Sequence, residues 1–251
     1  MKYKAPSIVF LFFVFLMQSC GTMNKPLVIG HRGAMGHETE NTLASIQKAM
    51  DLGVDAMEID VFKIKSGEIV VFHDNTVDRL TDGSGQIEEY TLSQLNDLTL
   101  KGNHKIPELH NVLDVIDAKV ILNIELKGAN TAAGVHRIVN QYIDEKGWAL
   151  DDFIISSFKW EELQAIRALN KDIPIAVLTG GDPLEGLEIA RELKAEAINP
   201  NFKALTSENS RTIKEAGFKI YVWTVNDPQD IIAMKKMAVD GIITNFPERV
   251  N

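Results

Sequence analysis

From Leu27 onward, short runs of β-branched and apolar residues alternate with longer stretches in which apolar residues recur every three to four positions. The first pattern is that of buried strands, the second that of helices with one apolar face. Strands are expected at Leu27–Gly30, Ala56–Val61, Val120–Leu126, Phe153–Ser156, Ile175–Leu178, Ala197–Asn199, Lys219–Thr224 and Gly241–Thr244. Helices are expected over Thr42–Leu52, Ala132–Glu145, Trp160–Leu169, Leu184–Lys194, Glu208–Ala216 and Pro228–Met237. Eight strand and helix units of this kind match an α/β fold of the TIM (β/α)8 barrel type. An open doubly wound sheet shares the local pattern and is the alternative. One interval, about residues 62–118, breaks the rhythm with a hairpin around Ser66-Gly67, a strand at Ile69–Phe72, a glycine-rich loop at Asp82–Gly85 and helical signals near Leu92–Leu98 and Leu109–Ile116. An insertion after the second strand of a barrel is expected to shape the mouth of its pocket.

Ahead of this region, Lys2 and Lys4 precede an apolar run from Ile8 to Met17, too short to span a bilayer and suited to the core of an export signal. Leu16-Met17-Gln18-Ser19-Cys20-Gly21 resembles a bacterial lipobox, in which Cys20 would be lipidated and become the first mature residue. A plain secretory signal cleaved nearby is the alternative. The expected organisation is a leader over residues 1–20, a tether over 21–26 and one barrel domain over 27–251. Such a chain belongs in a bacterial cell envelope as an exported lipoprotein, and Gly21 after the lipidated cysteine suggests the periplasmic side of the outer membrane. Cys20 is the only cysteine, so neither an intrachain disulfide nor a multi-cysteine metal site can form.

The formal net charge is -9, which argues against nucleic acid as a partner. If such an acidic chain handles a small anion, the positive charge has to be local, from a bound cation and a few basic side chains. The strand Asp55–Val61 offers a place for one. Alternation puts Glu58 and Asp60 on one face and Met57, Ile59 and Val61 on the other. Two carboxylates pointing into a barrel repel unless protonated or joined by a cation, and oxygen ligands at this spacing suit Mg²⁺ or Ca²⁺. Ile121–Lys127 repeats the device, with Asn123, Glu125 and Lys127 on one face and Ile121 deeper on the same face. Glu125 can complete the metal site and Lys127 can meet phosphate. His31 and His73 both follow strands, and imidazole titrates near enough to neutrality to serve as acid or base. Arg32 offers a planar fork for phosphate oxygens, beside Gly33, where the backbone can pass closely.

His31-Arg32-Gly33, Glu40-Asn41-Thr42, Glu58-Ile59-Asp60, His73-Asp74, Glu125-Leu126-Lys127 and Trp223-Thr224 run in the order seen in glycerophosphodiester phosphodiesterases, and the resemblance extends from Leu27 to Pro247. It implies a TIM barrel with an insertion after the second strand and a divalent cation on Glu58, Asp60 and Glu125. It further implies His31 and His73 as the acid and base, Arg32 and Lys127 on the phosphate, Trp223 against glycerol, and Glu40 beside the metal or its ligands. The expected substrates are small diesters such as glycerophosphocholine or glycerophosphoethanolamine, cleaved to glycerol 3-phosphate and an alcohol. The attacking oxygen would come from water or from a neighbouring glycerol hydroxyl. Thr39, Ile64 and Ser66 stand where the family often carries other residues, at loop and hairpin positions outside the expected catalytic set. Two further readings are a related phosphodiesterase acting on lysophospholipids and a surface-anchored binding protein on a catalytically dead barrel. The second would be signalled by a missing histidine or carboxylate, and none is missing.

Overall fold

The structure, a computed structural model, describes Met1 and residues 25–250. The expected leader, Cys20 and the first part of the tether lie outside the described residues. Strands β1 (Leu27–His31), β2 (Ala56–Lys63), β4 (Ile121–Leu126), β5 (Phe153–Ser157), β6 (Ile175–Thr179), β7 (Ala197–Pro200), β8 (Lys219–Val222) and β9 (Gly241–Thr244) are joined in parallel. β1 pairs with both β2 and β9, which closes the sheet on itself. Closure decides between the two folds the periodicity allowed, in favour of the barrel. Around it lie helices α1 (Leu43–Asp51), α3 (Leu109–Ile116), α4 (Ala132–Lys146), α5 (Trp160–Leu169), α6 (Gly186–Glu192), α7 (Ser207–Glu215) and α8 (Pro228–Lys236).

Strand alternation sorts the side chains as the sequence pattern requires. Met57, Ile59, Val61, Leu122, Ile124 and Leu126 face outward into the main core shared with the helices. Ile29, Ala56, Ile154, Ala176, Ala197, Tyr221 and Ile243, with Ile121 against them, fill the interior of the barrel. On the same inward-facing positions, nearer the C-terminal strand ends, the residues turn polar: Glu58, Asp60, Asn123, Glu125 and Ser156. The apolar floor excludes water from below, so chemistry is confined to that end.

Between β2 and α3 the chain adds antiparallel β3 (Ile69–Val71) and α2 (Leu92–Asp97). This excursion has its own apolar cluster of Phe62, Ile64, Val70, Phe72, Val77, Leu80, Ile87, Leu95, Leu100 and Ile106. β3 serves both cores, with Ile69 and Val71 on the main one and Val70 and Phe72 on the small one. Helix α3 contacts α1 and α4 in the outer ring, so the extra segment proper ends before Leu109.

Most boundaries agree with the sequence pattern to within one or two residues, and two elements differ for identifiable reasons. The helix expected over Leu184–Lys194 is a 3-10 turn, Pro183–Glu185, followed by α6, because Pro183 starts the turn and Gly186 weakens a continuous α-helix. β8 stops at Val222 rather than Thr224, and Trp223 instead bridges to Asn201.

Candidate active site

The loop after β1 is built around an unusual backbone. Arg32 has φ 50° and Asn41 has φ 58°, both in the left-handed region, and Gly33 has φ 80° with space so tight that a Cβ would lie 2.6 Å from the Ser45 backbone. What holds this shape is local. Ser45 Oγ donates to Arg32 O at 2.7 Å and accepts from Ala34 N at 2.9 Å, and Asn41 N donates to Arg32 O at 3.1 Å. The following triplet divides its work by residue. Glu40 accepts from Arg32 NH1 at 2.6 Å, Asn41 Nδ2 donates to Asp60 Oδ2 at 2.9 Å, and Thr42 Oγ1 caps α1 by accepting from Ser45 N. Non-glycine residues held at positive φ beside a pocket are a mark of a functional site.

Glu58, Asp60 and Glu125 converge so that one oxygen from each lies within 4.8 Å of the others. β2 and β4 place them there through the register that sets Asp60 opposite Glu125. Glu58 Oε1 is buried with no hydrogen-bond partner. Burial, then the neighbouring Asp60 carboxylate, pushes the Glu125 carboxyl up to about 7 and drives Glu58 well above the usual carboxylate range. Three buried carboxylates, one with an orphaned oxygen, are the donor set of a hard divalent cation, and the residues fit one. Lys127 Nζ lies 3.1 Å from Glu125 Oε1 and 3.8 Å from Asp60 Oδ1, and Arg32 Nε lies 3.2 Å from Asp60 Oδ2 without hydrogen-bond alignment.

The two histidines arrive from different directions and are held alike. His31 Nδ1 lies 2.6 Å from Asn245 Oδ1, across the β1–β9 closure, which leaves Nε2 on the side of Glu58 at 3.9 Å. His73 Nδ1 lies 2.6 Å from Asp74 Oδ1, and its Nε2 is 3.3 Å from Lys127 Nζ. Burial, followed by the Arg32 charge, lowers the His31 pKa to about 4. Burial also lowers that of His73, against the raising influence of Asp60 and Asp74.

Behind His73 stands a residue the sequence did not single out. Arg79 donates to Asp74 through Nε at 2.5 Å and to both oxygens of Glu40 at 2.8 Å. It holds the Asp74 carboxyl down to about 2 and, through Glu40, braces Arg32. Glu40 therefore sits behind the carboxylate triad, between two guanidinium groups, and reaches Asp60 only by way of Arg32. Asn245, just after β9, orients His31. His37 lies away from the triad and pairs with Glu248 at 3.0 Å.

These groups surround a cavity of about 110 Å³ lined by His31, Arg32, Glu58, His73, Asn123, Glu125, Lys127, Ser156, Phe158, Leu178, Trp223, Thr224 and Ile243. One side is charged and the other apolar. Trp223 is fixed by its Nε1–H donating to Asn199 O at 2.8 Å and meets Phe158 edge to face at 5.4 Å. Ser157, by contrast, is a turn residue, with Oγ donating to Leu126 O and accepting from Lys159 N. A larger open groove between α4 and α5, about 560 Å³, is walled mainly by alanines, and its one carboxylate, Glu162, is committed to the amides of Asn130, Thr131 and Ala132. Convergent chemistry, not size, marks the site.

Residues 31–249 match the model of the glycerophosphoryl diester phosphodiesterase family. A glycerophosphodiester phosphodiesterase of Caldanaerobacter subterraneus is 35% identical over 233 residues, 89% of this chain and 96% of that one. Another, of Bacillus altitudinis, is 30% identical over 88% of this chain and 95% of that one. Among solved structures, a phosphodiesterase of Oleispira antarctica in complex with the product sn-glycerol-3-phosphate superposes with a TM-score of 0.83 at 28% identity, covering 90% of this chain and 95% of that one. The enzyme of Thermotoga maritima gives 0.73 at 27% identity, over 88% and 96%. The motifs, the closed barrel and these likenesses agree, and the chain belongs to the glycerophosphoryl diester phosphodiesterase family of enzymes.

Proposed function

We propose that the enzyme cleaves small glycerophosphodiesters to glycerol 3-phosphate and an alcohol with the help of Mg²⁺ or Ca²⁺ held by Glu58, Asp60 and Glu125. The observation that carries this reading is the convergence of a buried carboxylate triad, two histidines each held through Nδ1 and two cations on one cavity. A divalent cation there supplies charge that offsets the build-up on the phosphoryl oxygens. Lys127 and Arg32 bind the same oxygens from the side, and release from Glu125 and Asp60 frees them to do so. Trp223, Leu178 and Ile243 form the apolar wall for the glycerol carbons. The product bound to the Oleispira antarctica relative fits such a pocket in kind.

The supports behind the histidines favour one division of roles. A neutral amide behind His31 does nothing to favour the imidazolium, whereas a carboxylate behind His73 does. His31 therefore takes the proton of the attacking hydroxyl, from water or from glycerol, and His73 gives one to the departing alcohol oxygen. Release of glycerol 3-phosphate from glycerophosphocholine and glycerophosphoethanolamine, with each cation and with chelator, tests the whole reading. Cation-dependent release that chelator abolishes is expected; no release with either cation would move lysophospholipids ahead as substrates. Running the reaction in labelled water while looking for a transient cyclic phosphate separates the two nucleophiles, since attack by glycerol forms a cyclic phosphate that water must then open, and label uptake without any cyclic species would sink that route.

The same proposal places the barrel in the cell envelope through a lipid on Cys20, in keeping with the basic, apolar and lipobox-like run before it. Cys20→Ser is expected to shift the enzyme from the membrane to the soluble fraction.

A further inference from the structure

A second cavity, about 190 Å³, adjoins the first and is lined by Asn75, Glu125, Leu126, Lys127, Phe158 and Lys159. The two share Glu125, Lys127 and Phe158 as a common wall. A diester whose phosphate lies at Lys127 and whose glycerol lies against Trp223 has its other arm on this far side. Asn75 is two residues from His73, so the proton donor assigned above stands at the same edge.

The charge here is lopsided. Glu125, the only carboxylate in the wall, is paired with Lys127 at 3.1 Å. Lys159 is half-buried and has no carboxylate partner among the described residues. Of the acidic groups on the elements nearby, Asp74 is engaged by Arg79 and His73, Glu88 by the Ala129 amide and Glu162 by the amides that start α4, while Glu161, in the first turn of α5, is exposed and does not line the cavity. Lys159 also occupies the N-cap position of α5, where no side chain caps the first turn, so the helix dipole adds to its charge. An ammonium or trimethylammonium group entering this cavity meets uncompensated positive charge, and a carboxylate is attracted by it.

We propose that this second cavity receives the head group of the leaving alcohol and that Lys159, with Phe158 and Asn75, makes the enzyme favour anionic head groups over cationic ones. The proposal rests on the phosphodiesterase reading above and adds to it a substrate class. Lys159 selects and does not touch the reacting atoms, so its influence falls on the choice between substrates.

The test compares kcat/KM for three glycerophosphodiesters, those of choline, of 3,3-dimethylbutanol, which has the shape of choline without its charge, and of glycolate. Rates for the first and last are divided by the rate for the neutral diester, in wild type, Lys159→Gln and Lys159→Glu. Dividing wild-type by variant ratios cancels the intrinsic reactivity of each alcohol. Lys159→Gln is expected to move the glycolate-to-choline ratio towards choline about tenfold, and Lys159→Glu further still, with the wild-type preference shrinking as salt rises. Ratios unchanged in both variants, or all three diesters slowed alike, would overturn the proposal. If wild type releases glycerol 3-phosphate from none of the three, the phosphodiesterase reading has failed and takes this one with it.

Discussion

The two histidines face one cavity, yet the molecule mounts them differently. His31 ends a barrel strand, is nearly enclosed, and is held by an uncharged amide just after the last strand. His73 lies two residues beyond the hairpin strand of the insertion, is more open to solvent, and is held by a carboxylate that Arg79 in turn grips. Both arrangements hold the ring through Nδ1, with Nε2 of His31 on the side of Glu58 and Nε2 of His73 beside Lys127. The neutral support suits a group that must begin unprotonated, and the ionic one suits a group that must carry a proton. A symmetric-looking pair is thus made unequal by what stands behind each ring.

Removing either ring tests the pair itself. His31→Ala and His73→Ala should each lower kcat about a thousandfold, and the double variant should be little worse than either single one. Glycerol 3-phosphate release and circular dichroism together check this, and a single variant retaining activity within tenfold of wild type would remove that histidine from the pair.

The carboxylates that both rings face make a second prediction. Because the Glu125 carboxyl lies at about 7 in the metal-free protein, a cation must displace a proton to bind below that pH. Affinity for Mg²⁺ or Ca²⁺ should then rise about fivefold between pH 6 and 7 and flatten above about 8, as calorimetry in buffers of different ionisation enthalpy would record. Stability in chelator follows the same sign. A carboxyl whose folded pKa exceeds its unfolded one opposes folding once it ionises, so the wild type should lose ground to Glu125→Gln as pH climbs from about 5 through 7.

Exchanging the supports sharpens the contrast. Asp74→Asn should cost about 10- to 100-fold in kcat and move the alkaline limb of the pH profile to lower pH, since His73 loses the carboxylate that raises its pKa. Asn245→Ala should cost a similar factor and leave that limb in place. If both variants shift the limb equally, the roles assigned to the rings are wrong.

The smallest effect is expected from Arg79→Ala, about 1–2 kcal/mol of stability by chemical denaturation. Its sign with pH is fixed by Asp74, whose folded pKa of about 2 lies below the usual aspartate value of 3.8. That contribution is complete above about 4 and is lost as pH falls towards 2, so the stability gap between wild type and variant should close over that window.

Most of the frame was legible in the chain because its signals are local. Alternation along Asp55–Val61 and Ile121–Lys127 separates core from site residue by residue, and every expected site residue from Leu27 onward lies in or beside the cavity, apart from Glu40, which stands one guanidinium behind it. The groups missed share a different property. Asn245 meets His31 across 214 positions and Arg79 meets Glu40 across 39, and neither contact leaves a trace in spacing or periodicity. A lone arginine five residues after Asp74 in a loop over the pocket was the only hint of the second. Trp223 was expected inside a strand, but its ring is anchored to Asn199 and its backbone to Asn201, an arrangement set by the neighbouring strand.

Strand β3 rests on two apolar clusters at once, and the smaller belongs to the segment that carries His73, Asp74 and Arg79. A segment with an apolar cluster of its own is expected to open before the barrel does, and to carry His73 with it. Such an enzyme has two thermal limits, one for catalysis and one for the fold. Its loss of activity on warming should come first, and should reverse on cooling.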